Sequence, residues 1–201
     1  MKRLLAGAIV LVSAVALPAA FGQGARLLER KARLSVPAAG DLGTTAGPAA
    51  KPARGEDASA ALERVFGGAL VAQLASAATG DFNGDGSPDL VVSATPTAWG
   101  AGALGDLLAS WMLLDLDAPR LHARQPVPVA TGDTLIAIIH GHGPAGWRSP
   151  EARQAYVLKR GPAALQVRAL GSAEVIAGSR NGRKGFVRWT GARYAWREDA
   201  E

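Results

Sequence analysis

Between Gly80 and Val92 the chain reads GDFNGDGSPDLVV, with oxygen-bearing side chains on alternate residues. Asp81, Asn83 and Asp85 stand at positions 1, 3 and 5 of a nine-residue span, Ser87 at position 7 and Asp89 at position 9. Hard cations such as calcium take six to eight oxygen ligands, and a tightly curled loop turns alternate residues inward to supply them. Asp81, Asn83 and Asp85 would offer side-chain oxygens, Ser87 its backbone carbonyl, and Asp89 a second-half carboxylate. Gly84 and Gly86 permit the positive φ values that such a curl needs. Three carboxylates crowded without a cation repel one another, which is the physical reason to expect an ion there. The bland alternative is an ion-free Asp/Asn/Gly turn, since these residues favour turns on their own account.

A strand, not a helix, must carry the loop. An EF-hand needs a bidentate Glu at position 12, where this chain has Val92 in an apolar run, and a dockerin-type loop fails at the same residue. What remains is an acidic loop entering a β-strand. The stretch GDFNGDGSPDLVV resembles the FG-GAP/VCBS-type repeat, whose members bind calcium between two strands of a propeller blade. The resemblance implies calcium held by Asp81, Asn83, Asp85, Ser87 and Asp89. It does not imply a whole propeller. There is one such loop, and the 201 − 59 = 142 residues left for folding make about two or three blades, too few to close a ring. ATGD occurs at Ala78–Asp81 and again at Ala130–Asp133, which suggests at most a degenerate repeat.

The surrounding elements read as predominantly β, with compact antiparallel sheets or a sandwich carrying one blade-like calcium loop. Strands are expected at Leu70–Ala77, Asp89–Ala94, Thr134–Ile139, Ala155–Arg160, Leu165–Ala169 and Glu174–Ala177. Two more are expected about the Asp-Ala-Pro-Arg turn after Trp111, with Leu104–Ser110 as an alternative short helix leading into the first. GFVRWTGARYAWR at the end has the aromatic and β-branched residues of a hairpin about Gly191, and ALERVFGGA a short helix.

Two further stretches attract a chemical reading. DTLIAIIHGHGPAGW runs an apolar strand into His-Gly-x-Gly, like the oxyanion loop of an α/β-hydrolase, but neither G-x-S-x-G nor a histidine follows Gly143. His140 and His142, with His122, are the three histidines of the chain and the alternative donors for a zinc-like site, against the default of a polar loop. Of the five tryptophans (Trp99, Trp111, Trp147, Trp189 and Trp196), Trp189 and Trp196 lie across the terminal hairpin. Such residues are more often core or hairpin clamps than sugar platforms, and a glycan-binding module is the alternative reading they leave open, with a hydrolase of unrecognised site as another.

Composition sets the compartment. Residues 1–22 have the form of a signal peptide: Lys2 and Arg3, the apolar run Leu4–Leu17, and small residues Ala20 and Gly22 before a cut at Gln23. The run is short for a membrane span, so no stable span is expected once it is removed, and the net charge of +5 falls to 5 − 2 = +3. Residues 23–59 hold a short basic stretch, Arg26–Leu34, and an Ala/Gly/Pro/Thr tract read as a flexible linker; residues 60–201 form the β-rich domain with its loop at 81–89. The absence of cysteine excludes disulfides and thiolate sites. Scattered arginines without an aromatic groove exclude nucleic acid as a partner. A periplasmic or secreted module with one structural calcium site, binding a protein or glycan partner, is the expectation.

Overall fold

The computed structural model describes residues 55–106, 109–118 and 126–200. Ten strands and two α-helices make up this part, and the strands form two sheets. In the first sheet, β3 (Asp89–Pro96), β5 (Leu135–Ile139) and β6 (Ala155–Lys159) are central, and β4 (Trp111–Asp115) closes one edge. Two short strands share the other edge: β1 (Leu70–Ala72) pairs with the end of β3, and β2 (Ala78–Gly80) with its beginning. A single turn of 3-10 helix, Leu74–Ser76, separates them. All pairs are antiparallel except β4 with β6, which run parallel.

The second sheet is an antiparallel meander of β7 (Gln166–Leu170), β8 (Ala173–Arg180), β9 (Arg183–Trp189) and β10 (Tyr194–Glu198). Its last turn is the expected one, with Gly191 at φ +89 and Trp189 opposite Tyr194.

Side-chain alternation explains the layering. Leu90, Val92, Ala94, Leu135, Ala137, Ile139, Ala155 and Val157 share one face of the first sheet, under the helix α1 (Gly55–Phe66). Val91, Ile136, Ile138, Tyr156 and Leu158 share the opposite face and pack on Ile176, Val187 and Tyr194 of the meander. With both faces covered, β5 reads as an unbroken apolar run, LIAII, and β3 carries Leu90, Val91 and Val92 in succession instead of alternating with polar residues. The α1 helix buries Ala58, Ala61, Leu62, Val65 and Phe66, the i, i+3, i+4, i+7, i+8 stripe of an amphipathic helix. Burial of its Leu, Val and Phe side chains stabilises the fold by about 1.5–3 kcal/mol each. Glu56 and Asp57 begin α1 and Arg64 ends it, each complementing the helix dipole.

Leu70–Ala77, expected as one strand, is broken after β1 by the 3-10 turn at Leu74–Ser76, and two further expectations meet the structure differently. The helix α2 is at Ala98–Ala103, capped by the Thr97 side chain accepting from the Gly100 N–H, so it lies before Leu104 and not after it. β4 is present, while its expected partner beyond Pro119 lies outside the described residues. The second ATGD is not a blade element. Asp133 accepts the Ala130 N–H at 2.9 Å and pairs with Lys159 at 2.8 Å, closing a turn, whereas Ala78–Gly80 of the first copy is a strand. Among the described residues, no helix is long and apolar enough to cross a membrane.

Candidate functional site: the acidic loop at the sheet seam

The loop leaves β2 at Gly80 and re-enters the sheet at Asp89, the first residue of β3. Gly84 and Gly86 have φ of +77 and +85, the left-handed conformation for which glycine carries no steric penalty. They let backbone N–H groups converge on the side chain of Asp81. Its Oδ1 accepts from Gly84 at 2.8 Å and Asp85 at 3.1 Å, and its Oδ2 from Gly86 at 2.9 Å. Asp85 Oδ1 accepts the Ser87 N–H at 2.7 Å, and Oδ2 the Asn83 amide at 2.8 Å. The Asn83 carbonyl oxygen accepts from the Asp85 N–H at 3.1 Å. Burial pushes the Asp85 carboxyl up, but the Ser87 N–H and the Asn83 amide outweigh it, and its pKa lies below the usual value.

Asp89 is different. It has no solvent exposure, and its two oxygens accept the Phe82 N–H at 2.8 Å and the Gly141 N–H at 2.6 Å. Burial raises its pKa, the two N–H groups pull it back, and the charges of Asp85 and Asp81 raise it again, to about 7. A carboxyl whose ionisation is disfavoured first by burial and then by two acidic neighbours is a place where a cation would relieve the cost of its charge.

The chemistry of the donor set suits a calcium-type ion: the side chains of Asp81, Asn83, Asp85 and Asp89 and the Ser87 carbonyl present oxygens. Among the described residues, no three His, Asp or Glu side chains are gathered into a metal-holding group; the carboxylates accept from backbone N–H groups and, at Asp85, from the Asn83 amide. An ionised carboxylate has about four lone-pair directions, so those contacts leave further acceptor capacity on each one.

The loop is fixed from behind. Phe82 is 2% exposed and packs in the cluster between the sheets. The Trp147 N–H donates to Pro88 O at 2.8 Å. A Cβ on Gly141 would collide with the Pro88 carbonyl oxygen and stand 2.9 Å from the Gly146 Cα. Gly141 of the His-Gly-x-Gly stretch is therefore a packing residue that brings its N–H to Asp89.

Of the two histidines among the described residues, each has its own partners. His140 is 2% exposed, ringed by Tyr156, Trp189 and Tyr194 with centroids 5.0, 5.1 and 5.7 Å away. Burial lowers its pKa. His142 lies in an exposed loop, paired with Glu151 at 2.9 Å, and His122 lies outside the described residues. Of the tryptophans, Trp147 is fully buried, while Trp111, Trp189 and Trp196 pack against the two cores. Trp99 is the exposed one among the described residues, at 58%.

Local spacing identified the loop residues but not those behind them. Glu174, Tyr194 and Tyr156 reach the loop or its histidine from strands far along the chain, and no motif marks them.

Comparison with known proteins yields one family match. A family model described as FG-GAP repeat matches residues 74–105, which take in β2, the acidic loop, β3 and α2. Searches of curated proteins and of solved structures return no match to this chain.

Proposed function

With the repeat match over residues 74–105 as the premise, we propose that this chain is an exported β-rich binding module stabilised by one calcium ion. Asp81, Asn83, Asp85, Ser87 and Asp89 are the proposed ligands. The observation that carries the reading is the loop itself: five oxygen-bearing positions on alternate residues of a curled turn, entering a buried strand. Support comes also from Asp89, whose buried carboxyl lies beside two others and is pushed up to about 7. The role is structural. The ligands sit at the end of a sheet against packed side chains. A periplasmic or secreted location, where free calcium is abundant, follows from the signal-like residues 1–22. A protein or glycan partner completes the proposal.

Thermal melts with calcium and with EDTA test the ion. For a Kd near ~10⁻⁴ M, about 2 mM calcium stabilises by roughly 2 kcal/mol. That raises Tm by about 4–8 °C. Asp85→Ala abolishes the calcium-dependent part. Identical melts in calcium and EDTA, together with an unresponsive Asp85→Ala, refute the calcium site.

A further inference from the structure

The acidic loop has a second set of attachments that lead, directly or through His140, to the four-stranded sheet. Glu174, near the start of β8, accepts the Asp81 N–H on Oε2 at 2.7 Å and donates its own N–H to the Asp81 carbonyl at 2.9 Å. This reciprocal pair spans 93 residues of sequence. Tyr194, the first residue of β10, has its hydroxyl 2.7 Å from His140 Nε2. His140 Nδ1 in turn is 3.4 Å from Asn83 Nδ2. An amide nitrogen only donates, so Nδ1 accepts, and a neutral imidazole then carries its proton on Nε2, directed at the Tyr194 oxygen. Phe82, between those two loop residues, is buried in the same cluster as Ile176, Val187 and Tyr194. Asp81, Phe82 and Asn83 are thus each tied to the meander, by the two hydrogen bonds with Glu174, by packing and by a histidine relay.

We propose that the acidic loop is a clasp between the two sheets, so that the order of Asp81–Asn83 and the docking of the four-stranded sheet rise and fall together. A ligand held by the loop then tightens that sheet onto the rest of the domain. This last clause rests on the calcium reading above; the clasp does not. Coupling of this kind is reciprocal: what loosens the sheet loosens the loop, and the converse.

Amide hydrogen exchange on the full chain tests the clasp. In EDTA, Tyr194→Phe keeps the ring and removes the hydroxyl, and Glu174→Ala removes the acceptor of the Asp81 N–H. Each speeds exchange of the Gly84, Asp85 and Gly86 amides by about five- to ten-fold, as expected for one lost hydrogen bond, and leaves the β5–β6 amides unchanged. Glu174→Gln, which keeps an acceptor oxygen, restores protection. Arg168→Ala breaks the pair with Asp199, 2.7 Å apart on the same sheet, and leaves the loop amides unchanged. If Glu174→Ala does not fold, Tyr194→Phe decides alone. Loop exchange unmoved by these variants, or moved equally by Arg168→Ala, overturns the clasp. In the calcium arm, the ion slows exchange in β8 and β10 as well as in the loop. Protection of the loop alone overturns the transmission to the sheet. Exchange indifferent to calcium overturns the calcium reading, while the EDTA variants still decide the clasp.

Discussion

Removing the Asp89 carboxylate exposes what holds the loop when no ion is present. Asp89 is fully buried and accepts from Phe82 at 2.8 Å and from Gly141 at 2.6 Å. Asp89→Ala leaves both donors buried without an acceptor, at about 1–3 kcal/mol each. The opposing gain, release of a carboxyl that burial disfavours, is partial because the group is already near half protonated at pH 7. A net loss of about 3–4 kcal/mol is a large share of the ~5–15 kcal/mol that holds a typical domain together, and it lowers Tm by roughly 10 °C. Asp89→Asn keeps one acceptor oxygen but turns an N–H₂ group toward the other donor, so it costs about 1–3 kcal/mol. Urea unfolding at pH 7 in EDTA measures both without any contribution from calcium. The order Ala worse than Asn, at an unchanged m-value, is the expected result. An Asp89→Ala loss below about 1 kcal/mol refutes the claim that this carboxyl anchors the Phe82 and Gly141 backbone.

Three other outcomes follow from the same geometry. The folded pKa of Asp89, about 7, is above the ~3.9 of an unfolded aspartate, so the folded state binds the extra proton. The stability linked to it is fully present below about pH 4 and is lost as pH rises through about 7. In EDTA, wild type therefore gains stability relative to Asp89→Asn between pH 8 and pH 5, and a flat or inverted difference in urea midpoints contradicts this. Phe82→Ala empties a site 2% exposed and costs about 3–5 kcal/mol, read as a shifted urea midpoint; a loss under ~1 kcal/mol is inconsistent with a packed ring. Gly141→Ala forces a methyl into the Pro88 carbonyl and costs at least ~1–3 kcal/mol, read as a lowered Tm; a neutral outcome contradicts the close approach.

The loop was legible because its pattern is local. Five oxygen donors on alternate residues, two glycines and a following apolar run all lie within thirteen residues, and short-range geometry decides their arrangement. The terminal hairpin was legible for the same reason, as were the strands whose apolar runs are bounded by turn residues. Residues brought in by tertiary pairing were not. Glu174 looks like any charged residue at a strand start until the meander folds back on Asp81. His140 follows an apolar strand and resembles part of an oxyanion loop or metal site. Only the layer formed by Tyr156, Trp189 and Tyr194 makes it a buried strut. The α2 segment AWGAGA contains two glycines, poor helix formers, and depends on the Thr97 cap. The parallel register of β4 against β6 follows from chain topology, which hydrophobic periodicity does not encode.

The division of one sheet edge between β1 and β2 bears on how the protein behaves at high concentration. An intact edge strand is a template onto which another chain can add, and exposed apolar side chains make the addition more favourable. Here Val71 and Leu74 are exposed at 55% and 45%, beside an edge that would otherwise invite it. The 3-10 turn at Leu74–Ser76 cuts that edge into two runs of three residues each. The Ser76 hydroxyl occupies the Ser93 N–H at 3.0 Å in the gap. A second molecule arriving there finds no continuous row of backbone groups to zip along, so the interruption that makes room for the loop also guards this edge against strand addition.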